Sequence, residues 1–214
     1  MYVAIEGVIG VGKTTLARRL QPIFQSGLLL EVFEENPFLS DFYGDRERYA
    51  FQTQIFFLLS RYHQQRRTVS ELLGHGGLIA DYTFEKDALF ARINLKGDEL
   101  DMYQRVHEAL AEKITVPDLV VYLKADTEVL MERIAQRDRP YERNMERAYI
   151  DELNRAYDAF FSDGQERRSP VLMIDTNHLN YVQRSVDLEW VADRIRQALK
   201  LPPYQQELPL SLVD

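Results

Sequence analysis

The chain has 214 residues, enough for one domain with a substantial core, and its net charge of -8 argues against general nucleic-acid binding, which needs a basic face. It contains no cysteine, which excludes disulfides, Cys-ligated zinc and thiol catalysis. No apolar run is long enough to span a bilayer, and a strand starts at the N-terminus with no room for a signal peptide, so a cytoplasmic enzyme is expected.

Tyr2 to Ile5 is a short apolar run that reads as a buried strand. It leads into Gly7-Val8-Ile9-Gly10-Val11-Gly12-Lys13-Thr14, which fits the phosphate-loop pattern G-x-x-x-x-G-K-[ST] without a mismatch. Thr14 to Phe24 then reads as a helix, with Leu16, Ala17, Leu20 and Phe24 along one face. A strand, a glycine loop and a helix N-terminus together aim backbone N–H groups at one point, where the helix dipole also favours negative charge. Gly7, Gly10, Val11, Gly12, Lys13, Thr14 and Thr15 are therefore the expected triphosphate cradle. Lys13 would reach the terminal phosphates, and the Thr14 hydroxyl would hold Mg²⁺.

Leu28 to Leu30 gives a second strand, running into Glu31, Glu34 and Glu35. Carboxylates after a strand are usually a solvated loop, but in an open α/β sheet they also face the ligand crevice, and spacing alone does not choose among the three. From Arg46 to about Leu73 the sequence predicts one long helix. Its segment Ile55 to Leu59 is apolar almost all round, which predicts cover on two sides, one of them a second subunit. Gln54 and Arg61 lie two turns apart on one face of that helix.

Leu78 to Asp81 reads as a third strand, with Asp81 at its ligand-side end, either as a metal or phosphate-site residue or as the cap of a helix through about Ile93. A helix from Gly97 to Ile114, a strand from Leu119 to Leu123 and a helix from Thr127 to Gln136 follow. Arg133, Arg137, Arg139 and Arg143 then cluster around Pro140, as either a solvated charge run or a lid over transferring phosphates. A helix from Ala148 to Phe161, a fifth strand from Val171 to Ile174 and a helix from about Arg184 to Leu199 complete the pattern. Residues 201–214 read as a tail without structure. The expectation is a phosphate-loop kinase fold: a five-stranded parallel sheet flanked by helices on both faces, one domain over residues 1–200 with a lid at about 137–143.

Neither a guanine-specifying Asn-Lys-x-Asp motif nor a strand ending in Asp-Glu is present, so a small-molecule kinase fits better than a switch GTPase or an ATPase motor. The segments Glu31-Val32-Phe33-Glu34-Glu35-Asn36-Pro37-Phe38, Phe51 through Arg61, Ile79 through Asp87, and Arg133 through Glu142 together resemble the deoxyribonucleoside kinases, specifically the bacterial deoxyadenosine/deoxyguanosine kinases. That resemblance runs from Tyr2 to about Leu199. It implies ATP as donor, Mg²⁺ and a deoxynucleoside acceptor; the homodimer is expected instead from the apolar Ile55–Leu59 run, packed through the long helix and the one beginning near Gly97. The resemblance also implies Glu31 as general base, with Glu34 the alternative because Val32 replaces the family's proline. Gln54 would read the base edge, supplemented by an Arg61–Asp87 pair, and Tyr43 and Glu142 would hold the sugar 3′-hydroxyl. Arg133, Arg137 and Arg139 would be lid arginines, and Asn180-Tyr181 would lie by the donor adenine. Asp81 matches the acid of the family's D/E-R-S motif, but Tyr82 stands where that motif has arginine. A thymidylate-kinase-like enzyme would need more positive groups for an acceptor phosphate, where this chain offers Glu31, Gln54 and Glu142. A nucleotide-binding regulator without activity sits poorly with an intact Lys13, Thr14 and Glu31.

Overall fold

The computed structural model describes residues 1–33, 35–143, 145–162 and 168–202. A five-stranded, all-parallel sheet runs in the order β2-β3-β1-β4-β5. The central strand β1 (Tyr2–Gly7) is buried along its whole length, as is β4 (Leu119–Lys124) except for its last residue. This is why both read as continuous apolar runs rather than alternating ones. Strands β2 (Gly27–Leu29) and β5 (Val171–Asp175) form the edges, and β3 (Leu78–Ala80) pairs between β1 and β2.

Eight α-helices occur among the described residues: α1 (Lys13–Phe24), α2 (Leu39–Gly44), α3 (Arg46–Gly74), α4 (Lys86–Asn94), α5 (Gly97–Ala111), α6 (Thr127–Arg137), α7 (Arg147–Ser162) and α8 (Ser185–Ala198). Crossing from β1 out to β2, back to β3, then over β1 to β4 makes the sheet reverse direction between β1 and β3. Ligand crevices open at such a switch point, outside the C-terminal strand ends. The loops after β1, β2 and β3 all meet there.

Three expectations are corrected. The helix expected from Asp81 begins only at Lys86, because the Thr83 amide and hydroxyl both donate to buried Glu6 Oε1, at 2.6 and 3.0 Å, and hold the chain out of helical form. Asp81 is accordingly not a helix cap. Short α2 was not expected; it has six residues and only two buried apolar side chains, Leu39 and Phe42, too few to show a period. A 3₁₀ turn, Pro140–Glu142, was not expected either. Residues 203–214 of the expected tail, and Glu34, lie outside the described residues.

Helix α3 is capped by the Asp45 carboxylate, which accepts from the Arg48 amide at 3.3 Å. Its buried face is unusually polar, carrying Thr53, Gln54, Arg61 and Gln65 among Ala50, Leu58 and Val69. Of these polar residues, α3 brings Thr53, Gln54 and Arg61 to the wall of the cavity at the strand ends. Its apolar stretch is open on the other side: Leu59 is 41% exposed.

Candidate active site

The loop after β1 wraps as the pattern predicts. Gly7 has φ +148°, and a Cβ there would lie 2.5 Å from the Leu123 carbonyl oxygen, so glycine is required where β1 passes β4. Gly12, at φ +101°, hands the chain into α1 while the Tyr181 hydroxyl occupies the space a side chain would need. Gly10, Gly12, Lys13, Thr14 and Thr15 line a cavity of about 260 Å³ at the strand ends. Gly7 and Val11 do not line it. The Lys13 ammonium donates to the Gly7 and Val8 carbonyls at 2.6 and 3.1 Å. Burial, then the neighbouring Lys86, pull its pKa down to about 8 against Glu6, Glu31 and Asp81.

Asp81, directly after β3, ties two loops together. Its Oδ2 accepts from the Thr14 hydroxyl at 2.5 Å, and its Oδ1 accepts from the Glu31 amide at 2.8 Å. The two oxygens expected to hold Mg²⁺ are thus side by side on the cavity wall. Hard oxygen donors of this kind suit Mg²⁺, which binds through one or two protein groups and keeps water and phosphate for the rest. No cluster of three His, Cys, Asp or Glu residues able to hold a metal occurs among the described residues, which is compatible with such a sparse site.

The Glu31 carboxylate, 14% exposed, lies between two cations. Arg61 Nε donates to Oε1 at 2.9 Å, with its Nη2 on the same oxygen, and Lys86 Nζ donates to Oε2 at 2.6 Å. Burial pushes the carboxyl up, but Arg61 and Lys86 outweigh it and hold Glu31 well below the usual carboxylate range. Arg61 is in turn paired through Nη1 with Asp87, which is fully buried. Asp87 is not on the cavity wall; it acts on Arg61 from behind. Gln54, one of the buried residues of α3, does face the cavity.

Tyr43 and Glu142 both line the cavity, and the Tyr43 ring stacks on Tyr141 with centroids 6.3 Å apart. Arg137 grips Glu142 through Nε at 3.1 Å and Nη2 at 2.6 Å, and Arg139 lies over the Phe33 ring at 4.3 Å. Arg137 and Arg139 line the cavity; Arg133 does not. Arg133 instead donates to the Val11 carbonyl at 3.3 Å, to the Thr176 hydroxyl at 3.1 Å and to the Thr176 carbonyl at 2.7 Å. Tyr181 is likewise buried beneath the phosphate loop, donating to the Val11 carbonyl at 3.1 Å. Asn180 closes its own turn, its side-chain oxygen accepting from the Val182 and Gln183 amides at 3.2 and 3.0 Å. The structure thus places Arg133 and Tyr181 against the phosphate loop, off the wall of this cavity.

Several lining residues escaped the sequence reading: Lys86, and the aromatic walls Phe33, Phe57, Phe90, Tyr149 and Tyr157. Phe57 follows Gln54 by three residues, and Phe90 follows Asp87 by three, so helical spacing from the polar site residues could have found both. Aromatic walls, a glutamine amide, an Arg–carboxylate pair and the phosphate loop thus line one cavity, a combination able to pack against a flat ring and cradle phosphates.

A sequence profile of the deoxynucleoside kinases matches residues 3–200. The chain belongs to the deoxynucleoside kinase family. It is 33% identical over 201 residues to a deoxyguanosine kinase of Bacillus subtilis, covering 92% of this chain and 97% of the relative. It is also 33% identical over 200 residues to a deoxyadenosine kinase of Dictyostelium discoideum, covering 91% of this chain and 78% of that one. A solved structure of a deoxyadenosine kinase from M. mycoides with bound dATP superposes with a TM-score of 0.79 at 23% identity, covering 92% of this kinase and 99% of that chain. At that identity the likeness speaks for the fold. No helix among the described residues of the kinase is long and apolar enough to cross a membrane.

Proposed function

We propose that this kinase transfers the γ-phosphoryl group of ATP, as its Mg²⁺ complex, to the 5′-hydroxyl of a purine deoxyribonucleoside, deoxyadenosine or deoxyguanosine, as a cytoplasmic step of nucleotide salvage. The observation that carries this is Arg61, held between Glu31 and Asp87 on the wall of a cavity that Gln54 and aromatic side chains also line. The 5′-oxygen attacks the γ-phosphorus, its proton passes to Glu31, and the β–γ bridging oxygen leaves with ADP. Mg²⁺, when held by Thr14 and Asp81, supplies charge neutralisation on the phosphates. Lys13 adds to it, and Arg137 and Arg139 do so as the lid, each acting on charge in a loose transition state. Glu142, oriented by Arg137, and Tyr43 hold the sugar 3′-hydroxyl. Arg133 and Tyr181 contribute by fixing the phosphate loop, and the donor adenine lies against the turn at Asn180. The relatives named deoxyguanosine and deoxyadenosine kinases support the acceptor class. Measuring kcat/KM for the four deoxynucleosides with ATP–Mg²⁺ tests it; thymidine as the best acceptor would overturn it.

Base choice follows from the buried pair. A glutamine amide offers donor and acceptor and discriminates little alone, whereas a fixed guanidinium can donate to a purine ring nitrogen or carbonyl. Asp87→Ala frees Arg61 to turn wholly to Glu31, so purine kcat/KM is expected to fall by roughly 10²-fold while the thymidine-to-purine ratio rises. Leaving a buried cation half-paired also costs about 3–5 kcal/mol, so the melting temperature should drop with it. An unchanged ratio across deoxyadenosine, deoxyguanosine and thymidine would make Arg61–Asp87 scaffolding.

The kinase is further expected to be a homodimer through α3 and α5. Leu59 and Met102 are 41% and 57% exposed on those helices, and two-fold association is the common way to cover such a face. Sedimentation at micromolar concentration should give twice the chain mass; a monomer there would count against it.

A further inference from the structure

The two oxygens of Glu31 are not equivalent. Oε1 takes both of its donors from Arg61, Nε at 2.9 Å and Nη2, which uses up its two lone pairs. Oε2 has a single donor, Lys86 Nζ at 2.6 Å, and so keeps one lone pair for another hydrogen. Lys86 opens α4, lines the cavity and is only 5% exposed. The residue after Asp81 does not compete for this place. The Tyr82 ring is fully buried, and its hydroxyl donates to Gln64 Oε1 at 2.7 Å while Gln64 Nε2 donates to the Leu30 carbonyl at 2.8 Å. Tyr82 therefore braces the backbone leading into Glu31, and Lys86 engages its carboxylate.

Resting on the reaction read above, we infer that Lys86 is the positioning residue that presents Oε2 of Glu31 to the acceptor hydroxyl. The hydroxyl proton goes to Oε2 as the oxygen–phosphorus bond forms, while Lys86 Nζ keeps its hydrogen bond to the same oxygen. A buried lysine whose head is pinned on a carboxylate holds that carboxylate in one rotamer, and a carboxylate free to swing off-line by an ångström loses much of its effect.

The test is a double-variant cycle on the full chain with deoxyadenosine, deoxyguanosine and ATP–Mg²⁺. Lys86→Met is expected to lower kcat by roughly 30–300-fold while KM for the deoxynucleoside moves less than about threefold. Lys86→Arg, which restores a cation, is expected to recover at least about tenfold of that loss. Because Lys86 acts through Glu31, the Glu31→Gln/Lys86→Met double variant should be no more than about threefold worse than Glu31→Gln alone. Multiplying losses would place Lys86 on the phosphoryl group instead and overturn the inference, as would a Lys86→Met enzyme within about threefold of wild type. Should Lys86→Met fail to fold, Lys86→Gln runs the same cycle with the same deciding outcomes. A wild-type enzyme that phosphorylates no deoxynucleoside removes the underlying reading; normal turnover without coupling between Lys86 and Glu31 removes only this one.

Discussion

Glu31→Gln is expected to lower kcat by roughly 10²–10⁴-fold with little change in affinity for the deoxynucleoside. Glutamine keeps the shape and can still accept from Arg61, but it cannot take the proton of the attacking hydroxyl. A carboxylate held as low as Glu31 is a weak base, and this suits the reaction. In a loose transition state the metaphosphate-like group is largely formed before the nucleophile commits, so the proton leaves late and already acidic. Burial opposes the charge and Arg61 and Lys86 prevail, so Glu31 is ionised across any practical assay range. Its contribution to stability follows the same sign: the folded-state pKa is depressed, so the contribution is complete above about pH 4.5 and is lost only as pH falls further, toward the folded-state value. The variant leaves two buried cations facing a neutral amide, so its melting temperature should fall, and kcat is compared on material shown to be folded. If Glu34→Gln shows the loss and Glu31→Gln does not, the base has been placed on the wrong glutamate.

What the sequence disclosed and what it hid divide along physical lines. The phosphate loop was legible because it needs glycines at fixed offsets, and steric demands such as the Leu123 carbonyl beside Gly7 leave no substitute. The parallel sheet was legible because strands buried on both faces read as unbroken apolar runs between helical periods. Asp81 was ambiguous, since an aspartate ahead of a helix is equally a cap or a ligand; only Glu6, buried on β1 and bonding Thr83 across the sheet, moves the helix start away from it. The aromatic walls were hidden because Phe57 and Phe90 at helical spacing look the same as core residues. Lys86 was hidden more deeply. A lysine next to an aspartate at a helix start reads as a solvated pair, and here the two serve different partners, Asp87 holding Arg61 while Lys86 holds Glu31. Arg133 and Tyr181 were expected at the nucleotide through the family resemblance, as a lid arginine and as part of the loop by the donor adenine. Both approach the phosphate loop from beneath, through the Val11 carbonyl, a direction no one-dimensional pattern specifies.

Lys13→Ala is expected to cut phosphoryl transfer by roughly 10³-fold or more, because the ammonium acts on charge that grows on the phosphates as the reaction proceeds. The structure shows why this variant needs a companion measurement. The same ammonium bonds the Gly7 and Val8 carbonyls, so removing it also loosens the loop that cradles the phosphates. Titration separates the two roles without altering the loop. With its pKa at about 8 in the free enzyme, Lys13 is charged below that pH and loses its proton above it. The kcat/KM for ATP, which reports the free enzyme, should therefore fall on the alkaline side with a midpoint about 8. Once ATP is bound, its polyphosphate favours the charged lysine and raises the pKa, so kcat itself should hold to higher pH. Lys13→Arg, which stays charged, should lose the alkaline limb while retaining only part of the rate, since a planar fork does not replace a point charge on this loop. Wild-type turnover in a well-folded Lys13→Ala enzyme would remove Lys13 from the mechanism. An alkaline limb that persists unchanged in Lys13→Arg would assign the titration to another group.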